Sequence, residues 1–296
     1  MSSVSKKVTI PQVKKFLVQT GFPFEMKMAK IFKDQGYDVE VGKFFMDLEG
    51  SKEREIDIIA SKEVGKIWIN FIVECKQSFR DEWIFFSPED DPGRYADSIK
   101  HIPSDHSKTS WNGCFNRLHI FDPKILLAKN FVTCMQNGGK LKQTKPTEAK
   151  KSDPTELRSA TQKVIKSTIA FVADLSWKET RNLVFPVVVF SKQLFIASYP
   201  GALKVKKENH IQFALDFKAK TYNQKILPER QVPRRLSFLR INRSTTEETI
   251  RDAHSSLGIH YLIDIVNGAR LNNFLKLVER GVSGIDLSKW TKKEKP

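Results

Sequence analysis

Two runs of β-branched and aromatic residues, 55–60 (E-I-D-I-I-A) and 67–75 (I-W-I-N-F-I-V-E-C), stand only six residues apart, and the connection contains Gly65. Such runs favour a pleated, half-buried surface, and a short Gly-containing link joins them as an antiparallel hairpin. Side chains alternate across a strand, so Glu74 and Lys76 point to one face while Cys75 points to the other. With the turn centred near Gly65 and Lys66, Asp57 falls opposite or nearly opposite Glu74, where same-face side chains lie within about 5 Å. Two carboxylates that close repel unless they share a proton or a cation. Oxygen ligands beside an amine suit Mg²⁺ better than zinc. A divalent ion there can polarise a phosphodiester oxygen and lower the pKa of a bound water, while Lys76 orients or activates that water and offsets charge in the transition state. The pattern points to phosphodiester hydrolysis.

The charge balance agrees with such a substrate. Fifty Lys and Arg against 34 Asp and Glu leave +16 on 296 residues. This favours a polyanionic partner, nucleic acid or an acidic membrane surface. No apolar stretch approaches the ~20 residues of a bilayer span; the longest, 183–190, carries Pro186 and fits a buried strand. No long amphipathic basic helix supports a peripheral membrane protein. Residues 1–7 are polar and basic without the apolar centre of a signal peptide, so the expected location is cytoplasmic. Cys75, Cys114 and Cys134 are widely spaced and form no C-x-x-C pair, which indicates reduced thiols rather than a disulfide framework or a zinc knuckle.

Along the chain, Phe24, Met28, Ile31 and Phe32 recur at helical spacing and predict a helix over 23–35, stopped by Gly36, with Glu25 in its first turn. Residues 37–45 predict a strand interrupted at Gly42, and 49–52 a turn. Residues 79–153 alternate aromatic patches with acidic, Pro and Gly positions and read as an insertion. Its last part, 136–154, holds Lys140, Lys142, Lys145, Lys150 and Lys151 and reads as a mobile basic loop, more simply solvated than phosphate-binding because no aromatic residues interleave. Leu157, Val164, Ile165, Ile169 and Val172 predict a helix over 155–173. Strands follow over 183–190 and 193–198, joined tightly near Ser191 and Lys192. A capping box at Ser244 opens a helix over 245–256, and a strand over 261–266, a helix over 271–280 and a frayed tail over 290–296 complete the chain.

These motifs, E-I-D-I-I-A at 55–60 and V-E-C-K-Q at 73–77, resemble the restriction-endonuclease-like, or PD-(D/E)XK, nuclease superfamily, with Ile56 where the motif carries Pro. The resemblance implies an α/β fold: a helix, a three-strand meander, a helix and a further strand, giving a central mixed β-sheet flanked by helices. The core would comprise 1–78 and 155–230, with 79–154 as the insertion and 231–296 as a C-terminal α/β extension. It further implies that Asp57 and Glu74 ligate Mg²⁺, for which Mn²⁺ would substitute, that the Cys75 carbonyl adds a ligand, and that Lys76 is the catalytic amine. Glu25 corresponds to the acid that many members carry on the first helix. Gln77, and Gln162 and Lys166 on the second core helix, are further site or substrate contacts on the same resemblance. The expected activity is a metal-dependent endonuclease acting on nucleic acid, with DNA favoured, working as a homodimer or with a partner protein and without a membrane.

Context, not the E-x-K string, singles out Glu74. The string recurs in Glu25-Met26-Lys27, Asp122-Pro123-Lys124, Glu148-Ala149-Lys150 and Asp216-Phe217-Lys218. The simpler reading of residues 74–76 is a strand end with solvated charges, and that of Glu25 is a carboxylate favoured by the helix dipole. His101, His106 and His119, with Asp105 and Asn116, lack the spacing of a His-Asn-His nuclease. A second functional reading is a nucleic-acid-binding scaffold with a nuclease-like fold that cuts nothing.

Overall fold

The computed structural model describes residues 8–47, 52–65, 67–78, 81–87, 102–103, 126–128, 130–137, 140–143, 156–174, 181–199, 201–217 and 259–284. Helix α1 (Ile10–Gln19) buries none of its side chains and leads into α2 (Phe22–Asp34). Strands β1 (Asp38–Asp47), β2 (Lys52–Val64) and β3 (Ile67–Lys76) form an antiparallel meander. The β2–β3 turn places Gly65 at φ 67°, a left-handed backbone that a side chain would oppose. After the intervening segments come α3 (Glu156–Asp174) and β9 (Arg181–Phe190), which runs parallel to β3 along its whole length.

The architecture is α/β with mixed sheets flanked by helices. With β6 (Leu126–Ala128), β12 (His210–Phe217) and β13 (Ile259–Asn267), the main sheet runs β1-β2-β3-β9-β13-β12-β6, and short β5 (Ile102–Pro103) pairs with β9. Every residue from Leu183 to Phe190 is buried, as a central parallel strand covered on both faces requires. Pro186 falls between Val184, paired with β5, and Val187, paired with β13; among the described residues one side of the strand has no partner there, which suits a residue lacking an N–H.

Each face of the main sheet has its own core. On one, α2 and α4 (Leu271–Ser283) pack around Phe71, whose ring centroid lies 5.6 Å from those of Phe32 and Tyr37, 5.3 Å from Phe185 and 5.9 Å from Phe274. On the other, α3 shares the interior with a second sheet, β11-β10-β4-β7-β8, formed by β4 (Asp81–Phe86), β7 (Asn130–Asn137), β8 (Lys140–Gln143), β10 (Leu194–Ser198) and β11 (Lys204–Glu208). Trp83 of this sheet stacks on Phe190 of the main sheet, centroids 3.7 Å apart and planes 9° apart. The tight 191–193 connection therefore carries the chain from one sheet to the other.

Three expectations change. Segment 79–154 contributes β4, β7 and β8 to the second sheet and β6 to the main one, because its aromatic residues Trp83 and Phe85 find a core to enter. Lys140 and Lys142 lie in β8, hairpinned to β7, rather than in a mobile loop; the remainder, 144–154, lies outside the described residues. The C-terminal part is no outer extension, since β13 sits inside the main sheet and α4 buries Phe274, Leu275, Val278 and Val282. Pairing between strands so distant in sequence leaves no local signal. The 49–51 turn, the histidines at 101, 106 and 119, the 245–256 helix and the tail lie outside the described residues. Strands β11 and β12 and helix α1 were not anticipated.

Truncating Phe71 to Ala should cost about 3–5 kcal/mol, the usual range for a fully buried aromatic ring. A drop in urea midpoint at unchanged m-value, followed by circular dichroism, is the expected result.

Candidate active site

The β2–β3 ladder is recorded to Ile58 opposite Val73, and one step further Asp57 faces Glu74. There the Asp57 side chain takes over from the ladder, accepting the Cys75 backbone N–H through Oδ2 at 2.7 Å. On the other side of Asp57 the β1–β2 pairing passes from Val41–Ile58 to Lys43–Ile56, so Gly42, at φ 70°, is the residue opposite. The ribbon changes face at this point. Ile58 and Ala60 pack with the α2 side, whereas Ile56 and Phe45 join the α3 side. Asp57 therefore sits at a bend, beside a position with no side chain.

Alternation on β3 is as the sequence predicts: Ile72 packs on the α3 face, whereas Val73 and Cys75 pack on the α2 face. Glu74 and Lys76 share the α3 face, with Lys76 Nζ 2.7 Å from Glu74 Oε1. This contact is an ion pair without hydrogen-bond alignment. Asp57 is 7% exposed and Glu74 2%. Two carboxylates so deep need compensation, and α3 supplies it. Lys163 Nζ lies 2.8 Å from Asp57 Oδ1 and 2.6 Å from Glu74 Oε2.

Electrostatics follow from this burial. Desolvation raises the pKa of Glu74 and Asp57 raises it further, and the ammonium groups of Lys76 and Lys163 only partly oppose them. Burial works against charge on Lys163 too, but Glu74 and Asp57 outweigh it and hold its pKa above the ordinary lysine value. Glu25, in the first turn of α2, is coupled to the same cluster. Burial first, then Asp57 and Glu55, with Lys163 opposing, push its carboxyl from 4.5 to about 7. Three carboxyls thus face two ammonium groups, and the third carboxyl resists ionisation. The Cys75 thiol is raised well above its ordinary value by burial and the neighbouring acids, so it is a core thiol and not a nucleophile.

Among the expected residues, the structure brings together Asp57, Glu74 and Lys76, with the Cys75 backbone against Asp57 and Glu25 within electrostatic reach. Gln77 follows β3, and its buried Oε1 has no hydrogen-bond partner among the described residues. Lys166 is directed elsewhere, 3.3 Å from the buried Asp47 that also pairs with Arg54. Gln162 is half-buried and makes no hydrogen bond to Asp57, Glu74 or Lys76 among the described residues. The residue of α3 that reaches the site is Lys163, between the two expected ones. Its signal was a lysine beside Val164 and Ile165 on the buried flank of an amphipathic helix, which fixes the residue but not its partners.

The fit to a divalent ion can be tested on the carboxylates themselves. Oxygens of Asp57 and Glu74 already converge on one cationic atom, Lys163 Nζ. Among the described residues no three His, Cys, Asp or Glu side chains form a metal cage. Two carboxylates completed by backbone and water oxygens are the donor set that Mg²⁺ ordinarily takes. Among the described residues, no helix is long and apolar enough to cross a membrane. Comparison of the chain with family models, curated proteins and solved structures gives no match.

Glu25 holds a proton in the folded protein between pH 4.5 and about 7 that it loses in the unfolded chain. The resulting stabilisation is complete below 4.5 and lost as pH rises through 7. Glu25→Gln should remove this decline, so urea midpoints of the variant should rise relative to wild type between about pH 5 and 8.

Proposed function

We propose that this chain is a metal-dependent nuclease of the restriction-endonuclease-like class that hydrolyses phosphodiester bonds of nucleic acid, with DNA as the favoured substrate. The observation that carries the proposal is the convergence of Asp57 and Glu74 on one cation, at 2.8 and 2.6 Å, with Lys76 on the same strand face. Asp57 and Glu74 would hold Mg²⁺ or Mn²⁺, with the Cys75 carbonyl as a further oxygen. When bound, the ion supplies Lewis-acid polarisation of a phosphodiester oxygen and a more acidic water.

The chain's own groups do the rest. Lys76 is 26% exposed at its side chain, against 2% for Glu74, so it is the member of this pair that an arriving phosphate could reach. Its ammonium can orient a water and offset charge that grows on the phosphate. Glu25, in the first turn of α2, is within electrostatic reach of the same acids and stands as a further carboxyl of the site. Gln77, just after the same strand, has a buried carbonyl oxygen with no hydrogen-bond partner among the described residues, able to accept a hydrogen bond from substrate or water. The net +16 of the chain supplies a general attraction for the polyanion.

A non-cutting nucleic-acid scaffold is the second reading, and one observation favours it: Lys163 already bridges both carboxylates. A cleavage screen with Mg²⁺ and Mn²⁺ over double-stranded, single-stranded and branched DNA and RNA separates the two. Asp57→Ala, Glu74→Ala and Lys76→Ala should each lower cleavage by about 10²-fold or more while leaving substrate binding largely intact. Salt-dependent binding with no cleavage of any substrate by the wild type would establish the scaffold instead.

A further inference from the structure

We propose that Lys163 is a resident counter-ion: its ammonium occupies the position between Asp57 and Glu74 that a divalent ion would take, so that metal binds only as Lys163 withdraws. This inference rests on the reading of Asp57 and Glu74 as metal ligands and concerns how that site is controlled. It starts from geometry. A single Nζ lies 2.8 Å from Asp57 Oδ1 and 2.6 Å from Glu74 Oε2, bridging one oxygen from each acid. An ion bridging the same two oxygens would lie within about 2–2.6 Å of each, and two cations cannot share that space.

The bridge also explains how two buried acids are tolerated side by side. Asp57 and Glu74 are 7% and 2% exposed, and without a cation between them they would face one another as buried like charges. Lys76 reaches only the other oxygen of Glu74, at 2.7 Å, and Asp57 has the Cys75 N–H on its Oδ2. Lys163 alone touches both acids among the described residues. It comes from α3, separated in sequence from the hairpin, and belongs neither to the expected ligands nor to the E-x-K element.

Withdrawal is sterically open. The Lys163 side chain is 24% exposed as a whole, and a flexible four-carbon stem can swing without moving the helix. The helix keeps a second tether, Lys166 on Asp47, one turn further on. The acids thus gain a cation at all times, an internal one when metal is scarce and an external one when it is bound. Apparent metal affinity is then reduced by the fraction of molecules in which the ammonium is in place.

Direct titration with Mn²⁺, following loss of the free-ion signal by electron paramagnetic resonance, tests this without reference to activity. Lys163→Met removes the competing charge and should bind Mn²⁺ about tenfold tighter or more, since an ammonium in place ~90% of the time lowers affinity by that factor. Lys163→Arg, with a longer and permanently charged head group, should bind more weakly than wild type. Lys166→Met should match wild type. In thermal melts, Lys163→Met should start lower than wild type and gain more from saturating Mn²⁺. Equal or weaker binding by Lys163→Met would overturn the counter-ion role while leaving the metal site standing. If Lys163→Met does not fold, Lys163→Arg decides alone, weaker binding supporting the proposal and equal binding overturning it. No Mn²⁺ uptake by any of the proteins would overturn both this role and the metal-site reading.

Discussion

Ten consecutive residues of β3, Ile67 to Lys76, lie in register beside ten of β9, Arg181 to Phe190, and the rest of the molecule is arranged around that parallel seam. Strand β9 is apolar and buried on both faces from Leu183 to Phe190, whereas β3 is apolar on its α2 face and carries Asn70, Glu74 and Lys76 on the other. One face is closed by α2 and α4 and the other by α3 and the second sheet. The seam also fixes the height of the site. Glu74 and Lys76 are near the C-terminal end of β3, beside Val188 and Phe190, where the chain turns away into the second sheet. Beyond this point Ser191 N–H donates to the Lys76 carbonyl at 3.0 Å, and its Oγ accepts from Ser78 N–H at 3.1 Å.

Rigid surroundings give the acids their character. A carboxylate at a solvated strand end would keep an ordinary pKa and a freely moving side chain. Here Asp57 is held by the Cys75 N–H and the Lys163 ammonium, and Glu74 by two lysines, in an interior where charge is poorly screened. Compensation is incomplete because burial outweighs the ammonium groups at Glu74, and Glu25 stays partly protonated near neutrality. The acids therefore depend on the two ammonium groups for the charge balance of the site.

Among the described residues, the outer strands of the second sheet are β8, K-L-K-Q, and β11, K-V-K-K-E, so lysines stand on both edges where unpaired backbone groups would otherwise invite association. Within the sheet, Trp83, Phe85, Leu194 and Ile196 enter the core shared with α3. The stretch between β3 and α3 is consequently part of what covers the site's face of the main sheet, rather than an appendage to it.

Much of the site was legible in the sequence because a two-residue alternation and a short turn leave little freedom. Given the Gly65 turn, Asp57 must face Glu74, Lys76 must share its face, and Cys75 must point away. Tertiary structure alone decided the rest. Three residues of α3 present amide or amine groups within one turn, and their sequence spacing cannot say which meets the hairpin. Docking of the helix chose Lys163 for the acids and Lys166 for Asp47. Likewise β13 and α4 carry ordinary apolar patterns, and nothing local reveals that β13 pairs with β9 across more than seventy residues. The sequence by itself determined the hairpin and its acids through local periodicity. The cation that holds those acids together came from a distant segment, and contacts between distant segments are set by packing, which no local pattern encodes.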